Sequence, residues 1–535
     1  MHLPPMNARL IAAVALPLAL TGCTLSVDST LDRIDADPGD GACADAAGRC
    51  TLRAAVMEAG ANAVRYRIAI PAGTYRLRPL SVGGGELSIG RDMRLQGDGA
   101  GATIIDAERR SRVLRVTGGT AVQLRALSIT GGDEQNGGGV QVDAGAEVSL
   151  ADIDFVDNEA FTGGGALLVR DGATVDGERV TFSGNRATGA FGGAAWNRGR
   201  LVLRDTLFHD NEANRAGALH NSASGSLNLF NVTLSGNRGR SDTRSAGGML
   251  TLGFAVLRNV TLADNEGGGA TGAGGLQMTS DSTTVLKNTL LADNVRRGDG
   301  GRPIGSDCKG SLSADSRYNL IESRDDCTLP LATTYVLDTD ARLAALADNG
   351  GATRTHRLRD DSPAIDAGFP FPPGSPAADA CRATDQRGVP RPQTLFVETG
   401  DGRCDIGAYE AGNRDTFVDG FTLVNAASDE DIGPLANGDV LVRDELPEQL
   451  SVRVELTRPT LTGSVVFGYD DDPSIRTENL TPYAIAGDTS GDYAAFDFGP
   501  TGEHTITATP YGAAQAGGSA GGRRSITVTV IDGDR

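Results

Sequence analysis

An asparagine recurs at nearly constant spacing through the middle of this chain, each time three residues after a Phe or Leu and usually followed by a Gly-Gly pair. Successive copies lie 27, 26, 26, 28 and 29 residues apart. The recurring residues are Asn158, Asn185, Asn211, Asn237, Asn265 and Asn294. Self-similarity at a fixed period of this length indicates a stacked repeat architecture, because each unit can bury its apolar face only against its neighbours.

Other positions repeat in step with the asparagines. Three residues before them stand Phe155, Phe182, Phe208, Leu234, Leu262 and Leu291, and eight residues before them stand Leu150, Gly177, Leu203, Leu229, Leu257 and Leu286. Six residues before them stand Asp152, Arg179, Asp205, Asn231, Asn259 and Asn288. Apolar and polar residues alternate in between, which is strand periodicity. Because Asn and Asp tolerate left-handed backbone geometry, the polar column predicts tight corners, and the stacked asparagines predict amide ladders.

This repeat predicts an all-β protein built around a parallel β-helix over residues 63–320. Coils separated by about 4.8 Å would give roughly ten coils and a length of roughly 50 Å. An antiparallel sandwich with similar turn density is the alternative. Sandwiches do not keep one residue type in register over so many repeats, which favours the β-helix.

Composition agrees with a helix of many tight corners around a narrow core, since the chain has 73 glycines and only 5% aromatic residues. Its 535 residues predict more than one domain. The net charge of −20 and a pI near 4.7 argue against a nucleic-acid partner.

Residues 1–23 predict a signal peptide. Arg9 precedes an apolar run over residues 10–20 that is too short to span a bilayer, and the sequence LTGC follows at residues 20–23. This order resembles a bacterial lipobox, which implies cleavage before Cys23 and a lipid attached to that cysteine. An ordinary secretory signal is the alternative. Both predict export, with membrane attachment through N-terminal lipid only.

The cysteines also favour export. Apart from Cys23, six remain in three sequence-close couples: Cys43 with Cys50, Cys308 with Cys327, and Cys381 with Cys404. None of these couples has the spacing of a metal site. Six cysteines allow fifteen pairings, and proximity alone favours three local disulfides in an oxidising compartment.

Residues 28–41 (DSTLDRIDADPGDG) and 50–58 (CTLRAAVME), followed by Asn62, resemble the CSLREP domain found at the start of exported bacterial β-helix proteins. Ala54 stands where that family usually has an acidic residue. We expect residues 24–62 to form an N-terminal helical cap, because an open parallel stack leaves an apolar end and unpaired backbone that need covering.

Three further blocks are similar to the choice-of-anchor Q domain, namely residues 361–368 (DSPAIDAG), 384–391 (TDQRGVPR) and 404–410 (CDIGAYE). They imply a distal segment over residues 321–412. The repeats themselves resemble those of polymorphic outer-membrane proteins and of pectate-lyase-like proteins, which implies a right-handed helix. The CSLREP, choice-of-anchor Q and polymorphic outer-membrane families imply no established reaction. We interpret the motif at residues 385–387 as a buried turn brace, with a binding motif as the alternative.

Beyond residue 412 the composition shifts. Residues 413–439 predict a linker. Short alternating strands between turn signals then predict an antiparallel β-sandwich over residues 440–535. This part resembles Ig-like modules appended to bacterial surface proteins.

Candidate site residues should appear as columns, because residues one period apart are neighbours in a stack. The position before each repeated asparagine holds Asp157, Gly184, Asp210, Gly236, Asp264 and Asp293. Asp264 and Asp293 alone are acids in adjacent coils, with Arg296 near, so they form the candidate Ca²⁺ site, and solvated turn residues are the alternative. His209 and His220 lack a third ligand, which favours an incidental pair. We predict no catalytic residue and no cofactor other than Ca²⁺.

The expected function is non-catalytic adhesion by an exported monomer, held at the outer membrane or cell surface or secreted, which binds a polysaccharide or a cell-surface protein. β-Helix folds also host polysaccharide lyases and glycoside hydrolases, so such an enzyme is the second hypothesis. A structural spacer that displays the C-terminal module is the third. The absence of a Ser nucleophile elbow, a phosphate loop and an H-E-x-x-H motif favours adhesion over catalysis.

Overall fold

The computed structural model shows an all-β chain dominated by parallel strands. It describes residues 23–78, 85–189, 191–241, 245–298, 302–324, 326–330, 334–359, 361–370, 374, 380–392, 403–412, 418–457, 459 and 462–533. The predicted signal peptide, apart from Cys23, lies outside the described residues. No helix among these residues is long and apolar enough to cross a membrane.

A parallel β-helix of roughly nine turns forms most of the molecule, as the repeat predicted. Each coil contributes one strand to what we call the long sheet. Its strands, in spatial order, are Thr24–Ser26, Tyr66–Ile70, Met93–Gly97, Ala121–Thr130, Glu147–Val156, Thr174–Ser183, Arg200–His209, Ser226–Ser235, Phe254–Ala263, Leu290–Ala292, Asn319–Ile321 and Tyr335–Leu337, with Gly73–Arg76, Thr103–Asp106 and Thr283–Lys287 beside them. The first and last of these strands extend the sheet beyond residues 63–320.

Two narrower sheets complete each coil. The second sheet contains Asp133–Asn136, Glu159–Gly163, Arg186–Ala187, Glu212–Ala213, Arg238–Gly239, Glu266–Gly267, Val295–Arg297 and Pro303–Gly305. The third sheet contains Leu87–Ile89, Leu114–Val116, Val140–Val142, Leu167–Val169, Ala195–Asn197, Leu219–Asn221, Met249–Thr251, Leu276–Met278, Cys308–Ser311 and Asp326–Thr328. All their pairings are parallel except that of the last two strands of the second sheet.

Apolar columns fill the inside of the helix at the predicted positions. Phe155, Phe182 and Phe208 are fully buried and stack face to face, with ring centroids 4.8 and 4.5 Å apart. In the other column, a Cβ on Gly177 would lie 2.6 Å from Leu203 Cδ2, so the neighbouring leucine takes up the space that the glycine leaves.

The repeated asparagines form a buried ladder inside the corner after the long sheet. From Asn158 to Asn294, each backbone N–H and side-chain amide donates to the Oδ1 of the asparagine one coil further on, at 2.8–3.1 Å. Gly132 donates to Asn158 at one end, and Asn294 donates to Asp307 at the other. The ladder therefore satisfies a row of amides that stacking removes from water.

Left-handed residues form the corners, which confirms the prediction from the polar column. The six corner residues that precede the ladder residues by six positions have φ between 50° and 57°. The six residues just before the ladder also have positive φ, between 52° and 64°. Asp, Asn and Gly suit this geometry, so the backbone alone accounts for Asp264 and Asp293 at their positions.

The described residues contain one α-helix, Leu52–Ala61, and a 3-10 turn at Arg443–Glu445. Thr51 Oγ1 caps its first turn by accepting a hydrogen bond from the N–H of Ala54 at 3.1 Å. Leu52 and Val56 of this helix belong to the same hydrophobic core as the first strands. The disulfide of Cys43 and Cys50 lies directly before the helix.

All three predicted disulfides are present: Cys43–Cys50, Cys308–Cys327 and Cys381–Cys404. Cys23 is the free cysteine of the described residues and is exposed. Its carbonyl accepts a hydrogen bond from the N–H of Arg67, so Cys23 lies at the terminal strand of the long sheet.

Two sheets at the C-terminal end share one hydrophobic core, and their strands pair antiparallel except that Val440–Val442 pairs parallel with Arg524–Ile531. The first contains Val418–Asn425, Glu430–Leu435 and Leu450–Leu456. The second contains Val440–Val442, Ser464–Tyr469, Asp472–Glu478, Gly502–Ala513, Gly517–Ala520 and Arg524–Ile531, and Asp488–Thr489 pairs with Asp492–Tyr493. The linker predicted over residues 413–439 is therefore wrong in part. Val418–Asn425 and Glu430–Leu435 are strands of this unit, because Phe421 and Leu423 belong to its core.

Candidate binding face

The segment from Leu343 onward folds back over the outer face of the long sheet. It contains the antiparallel strands Leu343–Ala347 and Thr355–Leu358, followed by irregular chain over the described parts of residues 359–412. Its contacts bridge about 150 positions in sequence: Gln386 accepts from Thr233 at 2.7 Å, and the N–H of Ala408 donates to Thr261 at 3.0 Å. Of the distal segment predicted over residues 321–412, residues 343–412 are the part that folds back in this way, and we use the name distal segment for them from here on.

Corner asparagines hold the distal segment in place. Asn231 donates to the carbonyl of Thr384, while Asn259 and Asn288 accept from the N–H groups of Arg382 and Phe369. These bonds measure 2.9–3.0 Å. The polar column changes from Asp or Arg to Asn at these coils, where the distal segment docks, because an amide can both donate and accept.

Buried ion pairs hold the distal segment together. Arg391 and Glu410 are both fully buried and lie 2.6 Å apart. The guanidinium of Arg387 pairs with Asp385 at 2.8 Å and stacks on the ring of Tyr409, with its central carbon 3.7 Å from the ring centroid. Residues 385–387 are therefore buried turn braces, as we interpreted them.

The candidate Ca²⁺ residues lie in adjacent coils beside this segment. Register pairs Ala263 with Ala292, so Asp264 and Asp293, which follow them, are one coil apart. Arg296 donates to the carbonyl of Ala270. No group of three or more His, Cys, Asp or Glu in the described part of the chain is placed to hold a metal ion.

Other acids and a histidine surround Asp264 and Asp293. Glu322 accepts a hydrogen bond from the N–H of Asp293 at 3.3 Å, and Nε2 of His356 lies 3.8 Å from the Asp264 carboxylate. Burial, followed by the negative charges of Asp293 and Asp307, raises the pKa of Glu322 to about 7. Burial and the charge of Asp264 also raise the pKa of Asp293. Glu322 therefore retains part of its proton near neutral pH.

His356 connects the distal segment to the long sheet. Its ring nitrogens lie 2.8 Å from Ser235 Oγ on the long sheet and 2.8 Å from the carbonyl of Ala344 on the distal segment. Its side chain is 1% exposed, and burial lowers its pKa. A group so enclosed joins the distal segment to the helix and cannot reach the scissile bond of a polymer.

The two histidines considered from sequence lie apart. His209 ends a strand of the long sheet and contacts Asp210 and Arg354. His220 lies in the third sheet, where burial lowers its pKa to about 3. They do not form a site together.

Cations and one phenylalanine form a column on the outer face of the long sheet. Strand register aligns Arg204, Phe230, Arg258, Lys287 and Arg317, one per coil. We call this set the basic column. Adjacent members are separated by about 4.8 Å along the helix axis, the spacing of neighbouring strands.

Phe230 is the centre of the basic column. The guanidinium carbons of Arg204 and Arg258 lie 5.8 and 6.0 Å from its ring centroid, and that of Arg382, from the distal segment, lies 5.3 Å away. Arg204, Phe230 and Arg258 are half-buried, and Arg317 and Arg382 are exposed. Sequence reasoning missed this column because it considered the positions one, three, six and eight residues before each repeated asparagine and not the position seven residues before it.

No protein-family model matches the chain, and no curated protein matches it. Among solved structures, the crystal structure of pectate lyase Pel9A matches with a TM-score of 0.35 and 12% sequence identity, over 73% of this chain and 98% of that chain. A likeness at that score carries no argument. The fold assignment rests on the strand register.

Proposed function

We propose that this protein is an exported surface protein that binds an anionic polysaccharide along its β-helix without cleaving it. The basic column carries the proposal. On a chain with a net charge of −20, Arg204, Arg258 and Arg317 form a local positive strip, in which Phe230 takes one position, Lys287 is buried and Arg204 also pairs with Asp176. An extended polymer with regularly spaced carboxylates or sulfates is complementary to such a strip.

Phe230 organises the cations of this face. The guanidinium groups of Arg204, Arg258 and Arg382 lie over its ring, which holds them close together where they can pair with the acidic substituents of the polymer. Arg382 belongs to the distal segment, so that segment contributes one wall of the binding face. A cell-surface protein as the ligand is the alternative partner; a nucleic acid would be repelled by the overall charge.

The test is retention of the mature chain on immobilised glucuronan and on cellulose, its neutral counterpart. Retention on glucuronan should fall as salt rises, and the double variant Arg204→Gln/Arg317→Gln should weaken it by roughly tenfold or more. The control is Arg186→Gln/Arg238→Gln, which removes two cations from the second sheet, where they pair with Glu212 and Glu266. Equal retention of the two double variants would sink the proposal.

A polysaccharide lyase or hydrolase is the second candidate, and the raised pKa of Glu322, about 7, favours it because such a carboxyl can donate a proton at neutral pH. Unsaturated products or new reducing ends in the retention assay would establish it. Asp264 and Asp293 are then the proposed Ca²⁺ ligands, tested by repeating the assay with Ca²⁺ and with chelator. Activity that Asp293→Asn leaves unchanged would exclude that role.

A spacer that displays the C-terminal unit is the third candidate. We propose that this unit is an Ig-like β-sandwich, supported by its two largely antiparallel sheets and shared core. Because the unit begins at Val418, the deletion that tests it removes residues 418–535. Loss of all retention in that deletion would favour a spacer over binding by the helix.

We further propose that lipid on Cys23 anchors a right-handed β-helix, with the CSLREP-like segment as its cap and the choice-of-anchor-Q-like segment as its brace. The exposed Cys23 beside the first strand and the core position of Leu52 and Val56 support this arrangement. Incorporation of a labelled fatty acid that Cys23→Ser does not abolish would contradict the anchor. Sedimentation of the Cys23→Ser chain tests whether it is a monomer.

A further inference from the structure

The chain's single tryptophan lies in an aromatic patch on a different face of the helix. Trp196 occupies the centre of strand Ala195–Asn197 in the third sheet. Phe191, just before this strand, lies with its ring centroid 5.1 Å from that of Trp196. Both rings are half-exposed, and Phe161, one coil earlier, is 63% exposed. A protein with only 5% aromatic residues thus places two half-exposed rings in contact on one outer surface.

The sequence makes room for this patch. A Cβ on Gly163 would lie 2.9 Å from both Phe191 Cβ and Trp196 Cε3, so the glycine permits the rings to lie against the coil. The indole N–H of Trp196 donates to Ser222 Oγ at 2.8 Å, which fixes the orientation of its ring. A fixed ring loses little conformational entropy when a ligand stacks on it.

Two arginines border the rings. Arg198 lies 5.5 Å from the Trp196 ring centroid and pairs with Asp171. Arg215 lies 5.5 Å from the Phe191 ring centroid, is exposed, and forms no ion pair with any described residue. Arg215 therefore holds a positive charge beside an aromatic surface without a carboxylate to neutralise it.

Beneath Phe191 lies a buried polar group without a partner. The ring of His220 packs 4.6 Å from that of Phe191, and its side chain is almost fully buried. Its Nδ1 has no hydrogen-bond partner among the residues that the structure describes. An orphaned buried nitrogen is uncommon, and it marks the layer directly under the patch as one whose polar groups are not all satisfied by this chain.

We infer that this patch binds one uronic acid residue of a glycan, whose ring face stacks on Trp196 and Phe191 and whose carboxylate pairs with Arg215. A flat apolar surface beside one unpaired cation matches a sugar that presents C–H groups on one face and an anion at its edge. This site lies in the third sheet, away from the basic column of the long sheet, so it stands whether or not that column binds polymer.

Fluorescence of Trp196 provides the test, because no other tryptophan contributes. The mature chain is titrated with hexameric β-1,4-glucuronate and with cellohexaose, which has the same linkage without carboxylates. The emission should change saturably with the acidic oligomer, and the neutral one should bind roughly tenfold more weakly or worse.

Arg215→Gln should lower the affinity for the acidic oligomer by roughly tenfold, while Arg238→Gln, an exposed arginine of the second sheet, should leave it unchanged. Both are surface substitutions, and matched thermal melting confirms that each variant folds. An unchanged emission, equal affinity for the two oligomers, or equal affinity of the two variants would each overturn the inference.

The outcome also separates this site from the proposed function. If the acidic oligomer changes the Trp196 emission, but the double variant Arg204→Gln/Arg317→Gln is retained on glucuronan as well as its control, the patch is supported and the basic column is not. If retention depends on the basic column and the oligomer leaves the Trp196 emission unchanged, the basic column is supported and the patch is not. A response to a soluble peptide library and to neither oligomer would overturn the glycan assignment in favour of a protein partner.

Discussion

The β-helix coils and the distal segment satisfy their buried polar groups in different ways. In the coils, neutral amides of identical asparagines bond to one another at 2.8–3.1 Å. In the distal segment, charged groups do so, as in the fully buried pair of Arg391 and Glu410. A stack offers the same geometry in every coil, so one residue type suffices; an irregular segment has no such repeat and needs strong local bonds.

Charge burial makes the distal segment the more vulnerable region. Arg391 also donates to the carbonyls of Asp405 and Gly407. Glu410 lies close to Asp405, and burial, together with the charge of Glu410, raises the pKa of Asp405 well above its usual range. Removing the arginine would leave two buried acids without its countercharge.

The largest effect should therefore come from Arg391→Met. We expect a loss of about 3–5 kcal/mol from the local stability of the distal segment, because the Glu410 carboxylate stays buried and unpaired. Limited proteolysis between residues 343 and 412 measures it. Arg186→Met, which breaks an exposed pair with Glu212, is the control and should cost less than about 1 kcal/mol. Equal protease sensitivity of the two variants would contradict the comparison.

Breaking the ladder should have the next largest effect. Asn211→Ala removes the acceptor of the Asn185 N–H, one of the two acceptors of the Asn185 side-chain amide, and the side-chain donor to the carbonyl of Phe182. We expect a cost of roughly 3 kcal/mol, measured by chemical denaturation. Asn228→Ala, at a half-exposed position of the same sheet, should change stability by less than about 0.5 kcal/mol. A ladder variant as stable as this control would show that the amide row contributes little.

A smaller effect should appear as a pH dependence where the two regions meet. The pKa of Glu322 is raised from 4.5 to about 7, so the folded state binds its proton more tightly than the unfolded chain does. Its stabilising contribution is complete below pH 4.5 and is lost as pH rises towards 7. Asp293, Asp307 and Asp340 contribute the facing negative charges.

Glu322→Gln should flatten this decline in thermal stability across the same pH range, because the amide is neutral throughout. Glu147→Gln, at an exposed position of the long sheet, should leave the profile as it is. A decline of unchanged slope in Glu322→Gln would assign the pH dependence to other groups.

The smallest effect should come from exchanging residue types within one apolar column. Phe182 stacks between Phe155 and Phe208, but leucine fills the same position in later coils. Phe182→Leu should therefore cost only about 1 kcal/mol, whereas Phe182→Ala should cost about 3–5 kcal/mol. Thermal melting compares them, and equal losses would show that the column does not tolerate exchange.

The sequence predicted what repetition encodes. Register, buried columns, left-handed corners and the amide ladder all follow from residues that recur at one period, and the three disulfides follow from proximity. The docking of the distal segment could not be read this way, because Gln386 meets Thr233 once, across 153 positions, without a repeat to reveal it. The strands Val418–Asn425 and Glu430–Leu435 also have no repeat. We predicted a linker there because polar turns interrupt their short alternation of apolar and polar residues.

Site prediction was limited by the same cause. The search for acidic columns found Asp264 and Asp293, whose left-handed φ explains their residue type without a ligand. The basic column and the patch at Trp196 were missed. A lone tryptophan in a chain of low aromatic content was the available signal, and its neighbours in adjacent coils become known only once the register is fixed.

Retention on glucuronan, with product formation followed in the same sample, distinguishes a β-helix that binds the polymer from one that cleaves it. We expect the mature chain to be retained in a salt-sensitive manner and to release neither unsaturated products nor new reducing ends, and we expect Arg204→Gln/Arg317→Gln to lose retention. Cleavage of the polymer, or retention of that variant equal to Arg186→Gln/Arg238→Gln, would contradict a binding β-helix.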